Sequence, residues 1–205
     1  MNLLFFLMAL ILSLKSYASS VSVQVSDPSL NVNWDEFIVF ADKCDTKIKP
    51  VNIDIEQLNC QYSPFISVST INSFVHIKNG DTIKHNAFAL SPNNFDLGAQ
   101  KPKETGKIEL GGAGITKIQC RFHPGMVAQI LVLKNNCYSK LKNGSAVIEN
   151  VTSGENTMRL WSPHLPKVQI IPVKSAKMLF TINEKDLSRV ELKKACPIST
   201  DTSAY

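Results

Sequence analysis

The chain has 205 residues, long enough for one large domain or two small ones. Its 44% hydrophobic and 19% charged content excludes a disordered or collagen-like chain. The formal charge of +5 comes from 22 basic and 17 acidic residues scattered along the chain, which gives no basic stripe for nucleic acid.

Leu3 to Leu14 is an apolar run interrupted only by Ser13. It is too short to span a bilayer and suits a signal-peptide core, with Ser16-Tyr17-Ala18 as the small residues of a cleavage site. Residues 1–18 are therefore expected to be a signal peptide; a retained anchor is the rival reading. No later stretch could span a membrane as a helix, so no stable span is expected after cleavage, and the mature protein is expected in the periplasm or secreted.

From there the apolar pattern is that of short strands. Val21 to Val25 alternates, and Phe37 to Ala41 is a short apolar run. Phe65–Thr70, Phe74–Ile77, Lys107–Leu110, Ile115–Gln119 and Val127–Leu133 follow, then Ala146–Val151, Met158–Trp161, Val168–Val173 and Met178–Ile182. Turn signals part them: Asn79-Gly80-Asp81, Ser91-Pro92-Asn93-Asn94, Gly111-Gly112, Asn143-Gly144 and Ser153-Gly154. One short helix is expected near Glu184 to Leu192. The pattern predicts an all-β sandwich.

Export places the five cysteines, Cys44, Cys60, Cys120, Cys137 and Cys196, in an oxidising compartment. Four can pair and one is left over. Cys120 is expected to be the unpaired thiol, for the loop it opens. The other four allow three connectivities, which the sequence leaves open; Cys44–Cys60 with Cys137–Cys196 is the expectation, each pair lying within one segment.

Residues 120 to 126 read Cys-Arg-Phe-His-Pro-Gly-Met, a thiol, an imidazole and a thioether on one tight loop between two strand-like runs. A second imidazole, His85, follows the upstream turn. Soft sulfur with two imidazoles selects copper or zinc over magnesium or calcium, and Cys with two His in a plane and a weak Met is the blue-copper arrangement. Structural zinc sites seldom use Met. Asn86 is placed to tie the His85 segment to the Cys120 loop. Phe122, Pro124 and Gly125 either pack the loop or form an apolar surface for a partner, with His123 as the most exposed ligand. His76 and His164 read as strand and loop histidines.

The Cys120–Met126 loop resembles the copper loop of the cupredoxins, with the short spacing of amicyanin. Gln57 to Phe65, with Tyr62-Ser63-Pro64, then Ile77 to Asp81 and His85 to Ser91, resemble exported cupredoxin-like proteins labelled methylamine utilization proteins. The flanks, Val21 to Ala41 and Gly144 to Leu165, also resemble those proteins, in which Trp-His-Pro stands where this chain has Trp161-Ser162-Pro163-His164; together the flanks are similar to a carboxypeptidase-regulatory-like sandwich. The resemblance implies a cupredoxin Greek-key β-sandwich over 51–136, inserted in a second small β-sandwich formed by 19–50 and 137–195, with a tail at 196–205. It implies one copper ion, cycling between Cu(I) and Cu(II), on His85, Cys120, His123 and Met126, and a one-electron carrier without enzymatic activity that works with a redox protein partner. The alternatives are a copper delivery or storage module and a β-sandwich scaffold with a vestigial metal site.

Overall fold

A computed structural model describes residues 19–188. The expected signal segment, the part of the expected helix beyond 188, and Cys196 lie outside the described residues. Within them sixteen strands follow in chain order. They are β1 (Ser19–Val25), β2 (Ile38–Ala41), β3 (Ile53–Leu58), β4 (Gln61–Ser63), β5 (Ile66–Thr70), β6 (Ser73–Asn79), β7 (His85–Ala89) and β8 (Phe95–Gln100), then β9 (Thr105–Leu110), β10 (Gly114–Gln119), β11 (Val127–Leu133), β12 (Tyr138–Lys140), β13 (Ser145–Val151), β14 (Thr157–Trp161), β15 (Gln169–Pro172) and β16 (Lys177–Phe180). Among the described residues helical structure is limited to two single 3-10 turns, Trp34–Glu36 and Glu184–Asp186, the second lying in the described part of the expected helix.

The strands form four sheets, ordered β13-β1-β16, β12-β2-β14-β15, β5-β11-β10-β7-β8 and β4-β3-β6-β9. Three apolar clusters lie between them and make a four-layer stack. Val21, Val23 and Val25 of β1 meet Val39 and Ala41 of β2 in the first cluster. Ile38 of β2 and Trp161 of β14 meet Ile66 and Val68 of β5 and Leu131 and Leu133 of β11 in the second. Ile118 of β10 and Ala128, Ile130 and Val132 of β11 meet Ile55, Val75 and Ile77 of β3 and β6 in the third.

This layering explains which sequence patterns were clean. The first strand covers one core and alternates, with serines and a glutamine outside. β2 and β11 are covered on both faces, so their sequences are near-continuous apolar runs. β3, β4, β7, β8 and β12 escaped the strand-pattern reading because they carry polar residues. β4, β8 and β12 are sheet edges, and β8 contains Gly98 in the left-handed region (φ 66°).

Every strand from β3 to β11 belongs to the two sheets that enclose the third cluster, while β1, β2 and β12 to β16 make the other two. The chain leaves at Ala41 and returns at Tyr138. At that neck Cys44 is bonded to Cys137, which replaces the expected Cys44–Cys60 pairing and rules out Cys137–Cys196. Sequence proximity was the wrong guide: Cys44 and Cys137 are 93 residues apart but meet where departing and returning segments cross. Cys60 is disulfide-bonded as well.

Beside the neck, Asp42 accepts a bidentate pair from Arg159, at 2.6 Å from Nε and 2.9 Å from Nη2, and a hydrogen bond from the Thr157 hydroxyl. The Arg159 hydrogen bond, against the opposing effect of burial, holds the Asp42 carboxyl below the usual carboxylate range. A depressed carboxylate contributes stability that is fully present above its unfolded pKa, roughly 4, and is lost as pH falls through the folded value. Asp42→Asn is therefore expected to lower the melting temperature at neutral pH, at a cost of about 1 kcal/mol for a partly exposed pair, and to flatten the decline in stability below about pH 4. Melting curves of both proteins across that range check it.

Candidate metal centre

Three elements bring the donors together. β7 begins at His85, which pairs with Gln100 of β8. β10 ends at Gln119, paired both with Phe88 of β7 and with Val127, the first residue of β11. The seven residues Cys120 to Met126 therefore close a hairpin directly over the start of β7. The loop turns through a hydrogen bond from the Met126 amide to the His123 carbonyl (3.1 Å), and Gly125 takes φ 111°, a conformation that disfavours a side chain.

His85 is fully buried, and Cys120 and His123 nearly so. Nδ1 of His85 lies 3.0 Å from Nδ1 of His123, and the Cys120 sulfur lies 4.0 Å and 3.6 Å from these two nitrogens. A circle through three points with those separations has a radius of about 2.1 Å, close to the ~2.0–2.3 Å at which metals sit from imidazole nitrogen and thiolate sulfur. The donor set therefore fits a single soft or borderline ion. Cys120 is the free cysteine among the described residues. Met126 is buried in the same apolar cluster as Cys120.

Around this triangle the protein supplies fixed hydrogen bonds. The Asn86 amide N–H points at the Cys120 sulfur at 3.4 Å, while its side-chain nitrogen donates to Asp96 (2.6 Å) and to the Gly98 carbonyl (2.9 Å). The tie between the His85 segment and the Cys120 loop is thus made by backbone, and the side chain instead secures β7 to β8. Arg121 pairs with the same Asp96 and stacks over Phe88.

Two contributors had no sequence signal that singled them out. Asp81 was visible only as part of a turn; its Oδ2 lies 2.7 Å from His85 Nε2 and accepts the Cys60 N–H, while its Oδ1 accepts the Asn59 N–H. The i,i+4 spacing of Asp81 and His85 was the available hint. Tyr62 places its hydroxyl 3.1 Å from the carbonyl oxygens of both Asn86 and Gln119, bridging β7 and β10 beside the donors. Burial, reinforced by the nearby sulfur of Cys120, pushes the Tyr62 hydroxyl well above its ordinary range, so it stays protonated.

Burial by itself would raise the Cys120 thiol, but the contact with His85 and hydrogen bonds from the amides of Asn86, Phe122 and His123 outweigh it and bring the thiol below its usual range. Burial, then the charge of His85, lowers His123. Burial opposes a charged His85, yet contacts with Cys120 and Asp81 leave it raised. A thiolate and a neutral imidazole are the forms that bind metal.

His123 is not the exposed group expected: only 4% of it is accessible, while its chain neighbours Phe122, Pro124 and Gly125 are exposed, Phe122 with 46% of its surface open. His76 and His164 do not join the centre. His76 contacts Asp54 on a sheet surface, and His164 pairs with Glu36 and stacks on Phe37. A second grouping, Cys60 with Asp81 and His85, also comes within 4.8 Å, but its sulfur is committed to a disulfide. Among the described residues no helix is long and apolar enough to cross a membrane.

No protein-family model matches the chain, and no curated protein matches it. Solved structures do. A purple cupredoxin from Nitrosopumilus maritimus is 20% identical, over 39% of this chain and 98% of that one, with a TM-score of 0.37. A copper-containing nitrite reductase from Thermus scotoductus is 18% identical over 43% of this chain and spans only 24% of its own, with a TM-score of 0.39. A Cu(I) form of an amicyanin mutant is 14% identical over 45% of this chain and 97% of its own, with a TM-score of 0.37.

Proposed function

We propose that the protein is an exported type 1 copper protein that carries single electrons, built as a cupredoxin-like unit over residues 51–136 set into a smaller sandwich formed by the flanks. The observation that supports this most directly is the convergence of His85 Nδ1, His123 Nδ1 and Cys120 Sγ around one point about 2.1 Å from each. With Met126 as a weak fourth ligand, these side chains would hold one copper ion, whose Cu(I)/Cu(II) couple supplies the electron chemistry. The chain's own part is rigidity. The hairpin loop, the Asn86 amide and the Asp81 carboxylate hold the donors where they are, so little has to move when charge changes. Burial of all three donors favours retention of an ion over ready exchange, and so favours a carrier over a delivery module.

A redox protein partner would dock where the centre is nearest the surface. Phe122, Pro124 and Gly125, beside His123 on the loop, are exposed. Lys84 and Lys101 stand one register step beyond the His85–Gln100 pair, are exposed, and have no ion-pair partner among the described residues. An apolar centre with a basic rim fits an acidic partner.

Titration with Cu(II) tests the reading. It is expected to bind one ion per chain, to produce an intense thiolate-to-copper band in the visible, and to give a reversible one-electron wave at an electrode. No band, or rapid loss of Cu(I) to a chelator without a stable Cu(II) state, overturns it.

A further inference from the structure

We propose that Asp81 is a positioning residue that fixes His85 as an Nδ1 donor and biases the centre toward a divalent over a monovalent ion. This rests on the metal reading above and adds a residue to it. Nε2 of His85 faces the Asp81 carboxylate at 2.7 Å, an acceptor, so in the neutral ring the proton sits on Nε2. The lone pair is then on Nδ1, the atom turned toward Cys120 and His123.

The carboxylate is itself held. Its Oδ1 takes the Asn59 N–H at 2.7 Å, its Oδ2 takes the Cys60 N–H at 3.0 Å, and its own amide donates to the Asn79 side chain. Asn59 and Cys60 are successive left-handed residues (φ 53° and 56°), which turn two neighbouring amides toward one anion. Cys60 is anchored further by its disulfide.

Charge gives the bias its direction. The Cys120 thiolate and the Asp81 carboxylate bring two negative charges to a centre whose imidazoles are neutral. A 2+ ion balances them; a 1+ ion leaves one negative charge uncompensated in a largely buried site. Asp81 is only 13% exposed at its side chain, so water screens it poorly.

Affinities of Asp81→Asn for Cu(II), Zn(II) and Cu(I), measured anaerobically by chelator competition, test the bias. The divalent ions are expected to lose about 10–100-fold and Cu(I) less than about 3-fold. An equal loss for all three, or none, overturns it. Positioning is read in metal-free protein, at a pH where His85 is neutral, from long-range proton–nitrogen correlations of the ring. The wild type is expected to carry the proton on Nε2 and Asp81→Ala to show mixed tautomers. A wild-type proton on Nδ1 overturns the proposal without any variant. Failure of the wild type to bind any of the metals overturns the metal reading and the bias with it, while the tautomer result judges the positioning separately.

Discussion

Cys120→Ser protein mixed with Cu(II) is expected to show no intense visible band and to bind the ion more than about 100-fold more weakly than the wild type. Loss of an outer hydrogen-bond partner already costs 10–100-fold, and a direct donor costs more. The serine alcohol does not ionise near neutral pH and is a hard donor in place of a soft one. The fold should tolerate the change: the hydroxyl is smaller than the thiol, and the Asn86 N–H that points at the sulfur can bond to an oxygen instead. A melting temperature within a few degrees of the wild type, together with the lost band, would tie the loss to the donor. His76→Ala and His164→Ala are expected to leave the band intact, because those rings are committed to Asp54 and to Glu36 elsewhere. A full band in Cys120→Ser would remove the sulfur from the centre.

The centre was readable in the sequence where its parts are contiguous. Cys120, His123 and Met126 fall within seven residues between two apolar runs, so their convergence needs only a hairpin. His85 was readable as an imidazole one short step after an Asn-Gly-Asp turn, four residues past Asp81. What the pattern could not convey was contact between distant segments. Asp81 looks like any turn aspartate until the Asn59–Cys60 turn is seen to feed it two amides. Tyr62 looks like an ordinary aromatic before a Ser-Pro pair until its hydroxyl is seen between two carbonyls. Exposure of His123 was misjudged for a related reason, because a place on an exposed loop does not say which way the ring turns, and here the ring is buried against His85. The strands read most easily were those with an apolar face or two. Polar β3, β4, β7, β8 and β12 take their strand state from pairing, which local composition does not encode.

The same dependence on distant contacts makes the neck of the fold the place where a substitution should cost most stability. The double variant Cys44→Ser/Cys137→Ser is expected to lose about 4–5 kcal/mol of unfolding free energy, since the bond closes a 93-residue separation and the entropy of such a loop in the unfolded chain is of that size. Hydrogen bonds around the neck limit local disorder in the folded state. The Asn135 side chain donates to the carbonyls of Ala41 and Asp42, and Asn136 exchanges hydrogen bonds with the backbone of Lys49 at 2.7 and 3.0 Å. The second apolar cluster, with Trp161 against Leu131 and Leu133, still holds the two halves together. The native geometry of the donors should therefore survive, and the variant should bind metal as the wild type does while unfolding at a much lower denaturant concentration. Urea unfolding followed by far-ultraviolet circular dichroism and by Trp fluorescence reads both: coincident transitions at a lower midpoint are expected, with a slope at least as steep as the wild type's because the unfolded chain without the bond is less compact. A loss below about 1 kcal/mol would mean that the Asn135 and Asn136 hydrogen bonds and the apolar cluster constrain the neck by themselves. If the metal band were lost together with stability, the centre would depend on the closure of the neck and not only on its own hairpin.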